Sequence, residues 1–179
     1  MMRVFLALPL PEVVLSALRV QQFLLPLPQA VDADGLHLTL VFLGEVQDWT
    51  LEAAHERFVE CRVAPFDLRL QGLGLFGGAK PRAAWAGVAV SEPLARLQAK
   101  LEHAARGAGI AVEGRKFVPH VTLGRFTNVP PDEAMRLERA VALGGGFATA
   151  PWVVDRFCLY ESHLSAKGSR YDELFAYDL

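Results

Sequence analysis

The feature that most constrains this chain is a duplicated string. HLTL begins at His37 and HVTL begins at His120, 83 residues later. The context repeats with the letters. Each string opens an apolar run, a glycine follows within a few residues, and then come a turn, a helical stretch and a further strand-like run. The returning runs are Phe66 to Gln71 and Trp152 to Tyr160. A chain built this way is expected to fold as two related lobes, each presenting one His-x-Thr strand. Side chains on a strand alternate faces, so His37 and Thr39 share one face while Leu38 and Leu40 share the other. His120 and Thr122 likewise point together, with Val121 and Leu123 turned to the core. Each lobe then offers an imidazole and a hydroxyl about 7 Å apart, two residue rises along the strand. A twofold relation between the lobes would set the two histidines facing each other across a cleft.

Around the repeat the punctuation is that of an α+β fold. Arg3 to Leu8 is a short apolar run between prolines and reads as a buried strand. A signal peptide is the competing reading of this start, but Pro9, Pro11 and Glu12 break the run early. Pro11 and Glu12 suit a helix start, with Val14, Leu15 and Leu18 on its apolar side. Ala30 to Gly35 reads as a loop, Leu36 to Leu43 as a strand, and Thr50 as the cap of a helix through about Glu60. The stretch from Gly72 to Arg82 reads as a loop, followed by a strand over Ala84 to Val90. Ser91 caps a helix with Leu94, Leu97 and Leu101 at helical spacing, ending near Gly107 and Gly109. Pro131 or Asp132 opens another, stopped by Gly144 to Gly146, and Tyr171 to Tyr177 closes the chain as a strand. Strands outnumber helices and the connections are mixed, which favours α+β over a doubly wound parallel sheet.

Composition narrows the function. A chain of 179 residues with 52% apolar content buries a full core and reads as a single domain spanning 1–179. Two cysteines, Cys61 and Cys158, make no disulfide framework and read as small packed hydrophobes, which fits a reducing cytoplasmic setting. No run approaches the ~18 apolar residues of a membrane span. A net charge of −2 argues against coating long nucleic acid, but leaves room for one small basic pocket.

Paired His-x-Thr strands suit the opening of a phosphodiester. One group must deprotonate the attacking oxygen and another must protonate the departing one. In-line displacement puts those oxygens on opposite sides of phosphorus. Histidine serves either role near neutrality. The Thr39 and Thr122 hydroxyls can donate to non-bridging oxygens, and Arg125 adds a cationic fork for phosphate. The chemistry calls for no metal and no cofactor. A single HxTL on a strand would be read as packing; two copies in matching context point to a site.

At these residues the chain resembles the 2H phosphoesterase superfamily, and within it the RNA 2′,3′-cyclic phosphodiesterases, also called 2′-5′ RNA ligases. RVFLALPLP, LHLTLVFLGEV (36–46), PFDLRLQGLGLF, PRAAWAGV, FVPHVTLGR (117–125) and LYESHLSAKGSRY (159–171) match that family in order. The resemblance implies two pseudo-symmetric lobes of antiparallel sheet with outer helices around a central cleft. It also implies hydrolysis of a terminal 2′,3′-cyclic phosphate to a 2′-phosphate, with His37 as proton donor and His120 as acceptor. Reversible 2′-5′ joining of RNA ends without ATP is implied as well. The expected partners are RNA ends or small cyclic nucleotides, and the expected state is a monomer. A related activity on small cyclic nucleotides or 2′-5′ oligonucleotides is the first alternative, and a silent nucleotide-binding module is the second. Two departures stand out: Val41 where many members carry a lysine, and Asp32 and Asp34 in a loop where many carry an arginine. Lys80, Arg82, Arg115, Lys116 and Arg170 are candidates for a basic rim, though each alone reads as a solvated charge.

Other signals read as decoys. Gly72-x-Gly74-x-x-Gly77 spells a dinucleotide fingerprint, but no helix follows it. His55 and His103 read as solvated residues on helices, and His163 as a surface residue. Strict alternation sends Phe42 to the core together with Leu40.

Overall fold

The computed structural model describes residues 1–165 and 168–179. The elements follow in the order β1 (Met2–Leu8), α1 (Glu12–Leu24), a 3₁₀ turn (Ala33–Gly35), β2 (Leu38–Val46), α2 (Asp48–Val59), β3 (Phe66–Leu68) and β4 (Leu70–Phe76). Then come β5 (Ala83–Val88), α3 (Glu92–Gly107), β6 (His120–Arg125), α4 (Pro131–Leu143), β7 (Trp152–Val154), β8 (Arg156–Ser165) and β9 (Gly168–Asp178). The fold is α+β, with an antiparallel sheet ordered β4-β5-β6-β2-β1-β8-β9 and a small second sheet of β3 and β7. Among the described residues no helix is long and apolar enough to cross a membrane.

The 83-residue offset governs the whole topology. It carries β1-α1-β2-α2-β3-β4 onto β5-α3-β6-α4-β7-β8, element by element. The two halves meet at β2 and β6, which pair antiparallel through Leu38 and Val121. The helices cross over: α3 lies against β2, and α1 against β6. Each half therefore packs a helix on the other's His-x-Thr strand. The returning runs are each broken once, at Arg69 and at Asp155, where the strand leaves one sheet for the other. The freed pieces find each other, and Phe66, Asp67 and Leu68 pair with Val154, Val153 and Trp152.

Local chemistry explains the helix ends. The Leu94 N–H donates to Ser91 Oγ at 3.3 Å and caps α3. At its other end Gly109 takes φ 89°, and the Ile110 N–H donates to the Ala105 carbonyl at 3.1 Å. Leu94, Leu97 and Leu101 are fully buried on the inner face, each worth roughly 1.5–3 kcal/mol of burial. Helix α2 departs from expectation. It begins at Asp48 rather than at a Thr50 cap, with no side-chain cap bond from Gln47. Asp48 supplies the acidic residue that its positive end favours. The glycine-rich stretch also differs: β4 runs on through Gly72 and Gly74 to Phe76, because β5 pairs with it from Leu70–Val88 to Phe76–Ala83.

Candidate active site

The 3₁₀ turn delivers His37 to the start of β2, and His120 opens β6. Because Leu38 pairs with Val121 antiparallel, His37 lies across from Thr122 and Thr39 across from His120. Leu38 and Val121 are fully buried, so the flanking histidines and threonines project to the opposite, open face. A cavity of about 340 Å³ forms there. His37, Thr39, His120, Thr122 and Arg125, the five residues selected from the sequence, all line it. Its walls also include Gln29, Asp32, Ser169 and Tyr171, residues that carry no repeat signal. Tyr171 comes from β9, which has no counterpart in the duplicated halves, so the offset could not reveal it.

One wall is a strip of loop stitched to β6. Val31 N–H donates to the Leu123 carbonyl at 2.9 Å, and Arg125 N–H donates to the Gln29 carbonyl at 3.2 Å. Gln22, on α1, donates through Nε2 to the carbonyls of both Val31 and Leu123, at 2.8 and 2.9 Å. That clamp fixes the segment leading into His37.

The histidines are held alike. His120 Nδ1 lies 2.7 Å from the Val118 carbonyl, two residues back, and His37 is bonded to the backbone of Gly35, also two residues back. An Nδ1–H donated to a carbonyl leaves Nε2 with its lone pair, free to act on a ligand. Aromatic rings crowd both imidazoles. Phe5 and Tyr171 sit 4.8 and 4.9 Å from the His37 ring, and Phe76 sits 4.9 Å from His120, edge-on. Burial therefore pushes the His37 imidazole from 6.5 down to about 4, and the charges of Arg125 and His120 add to the effect. His120 moves in the same direction, again chiefly by burial and then by Arg125, with the Val118 carbonyl opposing. The His37 ring is thus neutral at pH 7, and the surroundings of His120 disfavour its charged form in the same way.

The remaining candidates fall outside the cavity. Lys80 and Arg82 line a separate depression beside α4. Arg115 pairs with Glu113 at 2.9 Å, and Arg170 with Asp172 at 2.6 Å. Lys116 and His103 are exposed. His163 sits on the β8–β9 hairpin, 3.1 Å from Asp172. His55 differs from the solvated residue expected: its Nδ1 lies 2.8 Å from the Tyr177 hydroxyl, and Phe175 packs edge-on against it. That role is structural, since β9 needs a polar partner for a phenol placed over α2. Cys158 is fully buried, and Cys61 packs beside the core. Gly74 serves packing rather than dinucleotide binding. A Cβ there would lie 2.2 Å from the Trp85 ring, which in turn lies beside His120.

The sequence profile of the 2′-5′ RNA ligase superfamily matches residues 11–166. The chain belongs to the 2′-5′ RNA ligase superfamily. It is 30% identical over 151 residues to the RNA 2′,3′-cyclic phosphodiesterase of Archaeoglobus fulgidus, covering 84% of this chain and 83% of that protein. It is 33% identical over 150 residues to the Thermotoga maritima protein of the same name, covering 81% and 76%. Its fold superposes on E. coli LigT complexed with 3′-AMP, with a TM-score of 0.79 at 28% identity over 99% of this chain and 98% of that one.

Proposed function

We propose that this chain hydrolyses the 2′,3′-cyclic phosphate at an RNA end to a 2′-phosphate. The observation that carries the reading is the convergence of two symmetry-related His/Thr pairs and Arg125 on one small cavity. Support also comes from relatives named RNA 2′,3′-cyclic phosphodiesterase.

The mechanism follows from the side chains. Arg125 and the Thr39 and Thr122 hydroxyls hold the non-bridging oxygens as charge builds on them. His120 takes a proton from the attacking water as its oxygen bonds to phosphorus. The bond from phosphorus to O3′ breaks, and His37 protonates that oxygen. The assignment of donor and acceptor follows the family resemblance, since the two imidazoles are held alike. With a 5′-hydroxyl in place of water the same displacement joins two RNA ends through a 2′-5′ bond. Two imidazoles suffice for both proton transfers, so no metal is required. The natural setting of the reading is a cytoplasmic monomer acting on RNA ends. The cavity contains one arginine and also Asp32, which favours as a second reading a short substrate such as a cyclic mononucleotide.

The test is turnover of an oligoribonucleotide ending in a 2′,3′-cyclic phosphate, in EDTA, with the product identified by phosphorus NMR. A 2′-phosphate is expected. A 3′-phosphate would reverse the leaving-group assignment, and no turnover would leave a binding module. His37→Ala and His120→Ala should each lower kcat by roughly 10²–10⁴-fold with the circular dichroism spectrum unchanged.

A further inference from the structure

The two halves differ at one corner. In the first half β1 accompanies β2 to its last residue, with Met2 paired to Val46 just before α2 begins at Asp48. In the second half the pairing of β5 with β6 stops at Ala83 and Arg125, well short of α4. The first residue of α4, Pro131, is the 83-residue equivalent of Asp48. Ahead of Ala83 the chain turns away into the loop that joins β4 to β5. Asn128, in the left-handed region at φ 54°, swings the other strand toward α4. The corner that β1 covers in one half is thereby left open in the other. It forms a depression of about 820 Å³, against about 340 Å³ for the catalytic cavity.

Lys80 and Arg82 stand on the rim of the open corner, both exposed, and neither enters an ion pair among the described residues. Glu138 is the carboxylate among the described lining residues. Helix α4 contributes Pro131, the buried Ala134 and Met135, which is 68% exposed. The depression begins directly past Arg125. Thr127 and Asn128 line it, and the Phe126 N–H donates to the Arg82 carbonyl at 2.9 Å. Register decides which part of a substrate faces it. His37 lies across from Thr122 and Thr39 across from His120, so Arg125 lies on the His37 side of the cleft. Where His37 protonates O3′, the ribose and the chain attached through its 5′ carbon lie on that same side. A cyclic-phosphate end therefore sends its upstream strand toward Arg125 and out over this corner. Two unpaired cations there meet phosphate, and the side of α4 offers apolar contact to sugar and base, which is what an extended single strand needs.

Resting on the RNA-end reading above, we propose that the depression between the β4–β5 loop and α4 is a subsite for the nucleotide upstream of the reacting end. Lys80 and Arg82 hold its phosphate, and Pro131 and Met135 pack against its sugar and base. The catalytic cavity grips the terminal phosphate, and this corner makes the enzyme prefer a strand to a mononucleotide.

The test compares kcat and KM for adenosine 2′,3′-cyclic phosphate and for a pentanucleotide with the same end, over a range of salt. The variants are Lys80→Ala, Arg82→Ala and the two combined, with circular dichroism to check the fold. The combined variant is expected to raise KM for the pentanucleotide roughly 5- to 50-fold at unchanged kcat. The slope of log KM against log salt should flatten by about 0.7 for each cation removed. Met135→Glu, on the α4 wall, should raise KM for the pentanucleotide as well. KM for the mononucleotide should not change in any of these variants. An equal rise on both substrates means that the two cations act on the reacting phosphate, and it overturns the subsite. An unchanged KM for the pentanucleotide, with the wild type active, also overturns the subsite and leaves the catalytic reading standing. A wild type that turns over the mononucleotide but not the pentanucleotide overturns the subsite and favours the short-substrate reading. A wild type that turns over neither overturns the catalytic reading and the subsite together.

Discussion

Burial holds the His37 imidazole well below its ordinary 6.5, at about 4. At pH 7 only about one molecule in a thousand then carries a proton there. The residue assigned to protonate the leaving oxygen is therefore uncharged until substrate arrives. The substrate can supply the difference. A phosphate charge about 4 Å from an imidazolium, at an effective dielectric near 20, is worth about 4 kcal/mol. At about 1.4 kcal/mol per pH unit that lifts the midpoint by about three units, to near 7. Proton and substrate would then bind together, and affinity for a phosphate ligand should rise up to tenfold per pH unit on going from pH 7 to 4. The assay is a proton–carbon NMR titration of the histidine Cε1–H signals, assigned with His37→Asn, with and without saturating 3′-AMP. The reasoning fails if free His37 titrates within one unit of 6.5, or if 3′-AMP shifts it by less than one unit. Stability provides an independent check. Between the folded midpoint and 6.5 the unfolded chain holds more protons, so stability falls as pH drops through that window. The full loss from this one group is about 3 kcal/mol, complete below pH 4. Urea unfolding of wild type and His37→Asn at pH 7 and pH 4 should show the wild type losing about that much more.

Three further outcomes follow from the geometry. Thr39→Val or Thr122→Val should each lower kcat by roughly 10²-fold with little change in KM, if the hydroxyls stabilise charge that develops only in the transition state; steady-state kinetics decide. Gly74→Ala places a methyl 2.2 Å from the Trp85 ring, so the ring must move and His120 loses its backing. The expected cost is about 1–3 kcal/mol of stability, with a shift in tryptophan emission and a fall in kcat. Gln22→Leu removes the clamp on the Val31 and Leu123 carbonyls and should cost about 1–3 kcal/mol by thermal or urea unfolding, with faster hydrogen exchange along the 29–31 strip.

Much of the architecture was readable because the determinants are local. The 83-residue repeat announces the halves, Ser91 announces the start of α3, and Gly109 its end. What was hidden depends on pairing. Nothing within Phe66 to Gln71 says that the run breaks at Arg69, because the break exists so that β3 can reach β7, some 85 residues away in the chain. The continuation of β4 through Gly72 and Gly74 is equally non-local: β5 provides the partner, and the Trp85 ring occupies the space that a side chain at Gly74 would take. Tyr171 escaped notice for the same reason, as its place in the cavity comes from a strand outside the repeat.

The site itself turns on a backbone irregularity that period-two reasoning cannot contain. Strict alternation from Thr122 sends Arg125 to the core, and from Thr39 it sends Phe42 there too. Both lie instead on the open side. The cause is the same in each half. Ala7 pairs with Thr39 and Leu6 with Val41, so Leu40 is the extra residue of a β-bulge. Trp85 pairs with Thr122 and Ala84 with Gly124, so Leu123 is its counterpart. One inserted residue reverses the facing of everything that follows it. Without the bulge Arg125 would be a charge in an apolar interior, at a cost of several kcal/mol, and the cavity would lose its fixed cation. With it, both leucines stay buried, Arg125 reaches the cavity and Phe42 is exposed. The bulge on β6, and not the histidine spacing alone, is what brings Arg125 to the cavity that His37 and His120 line.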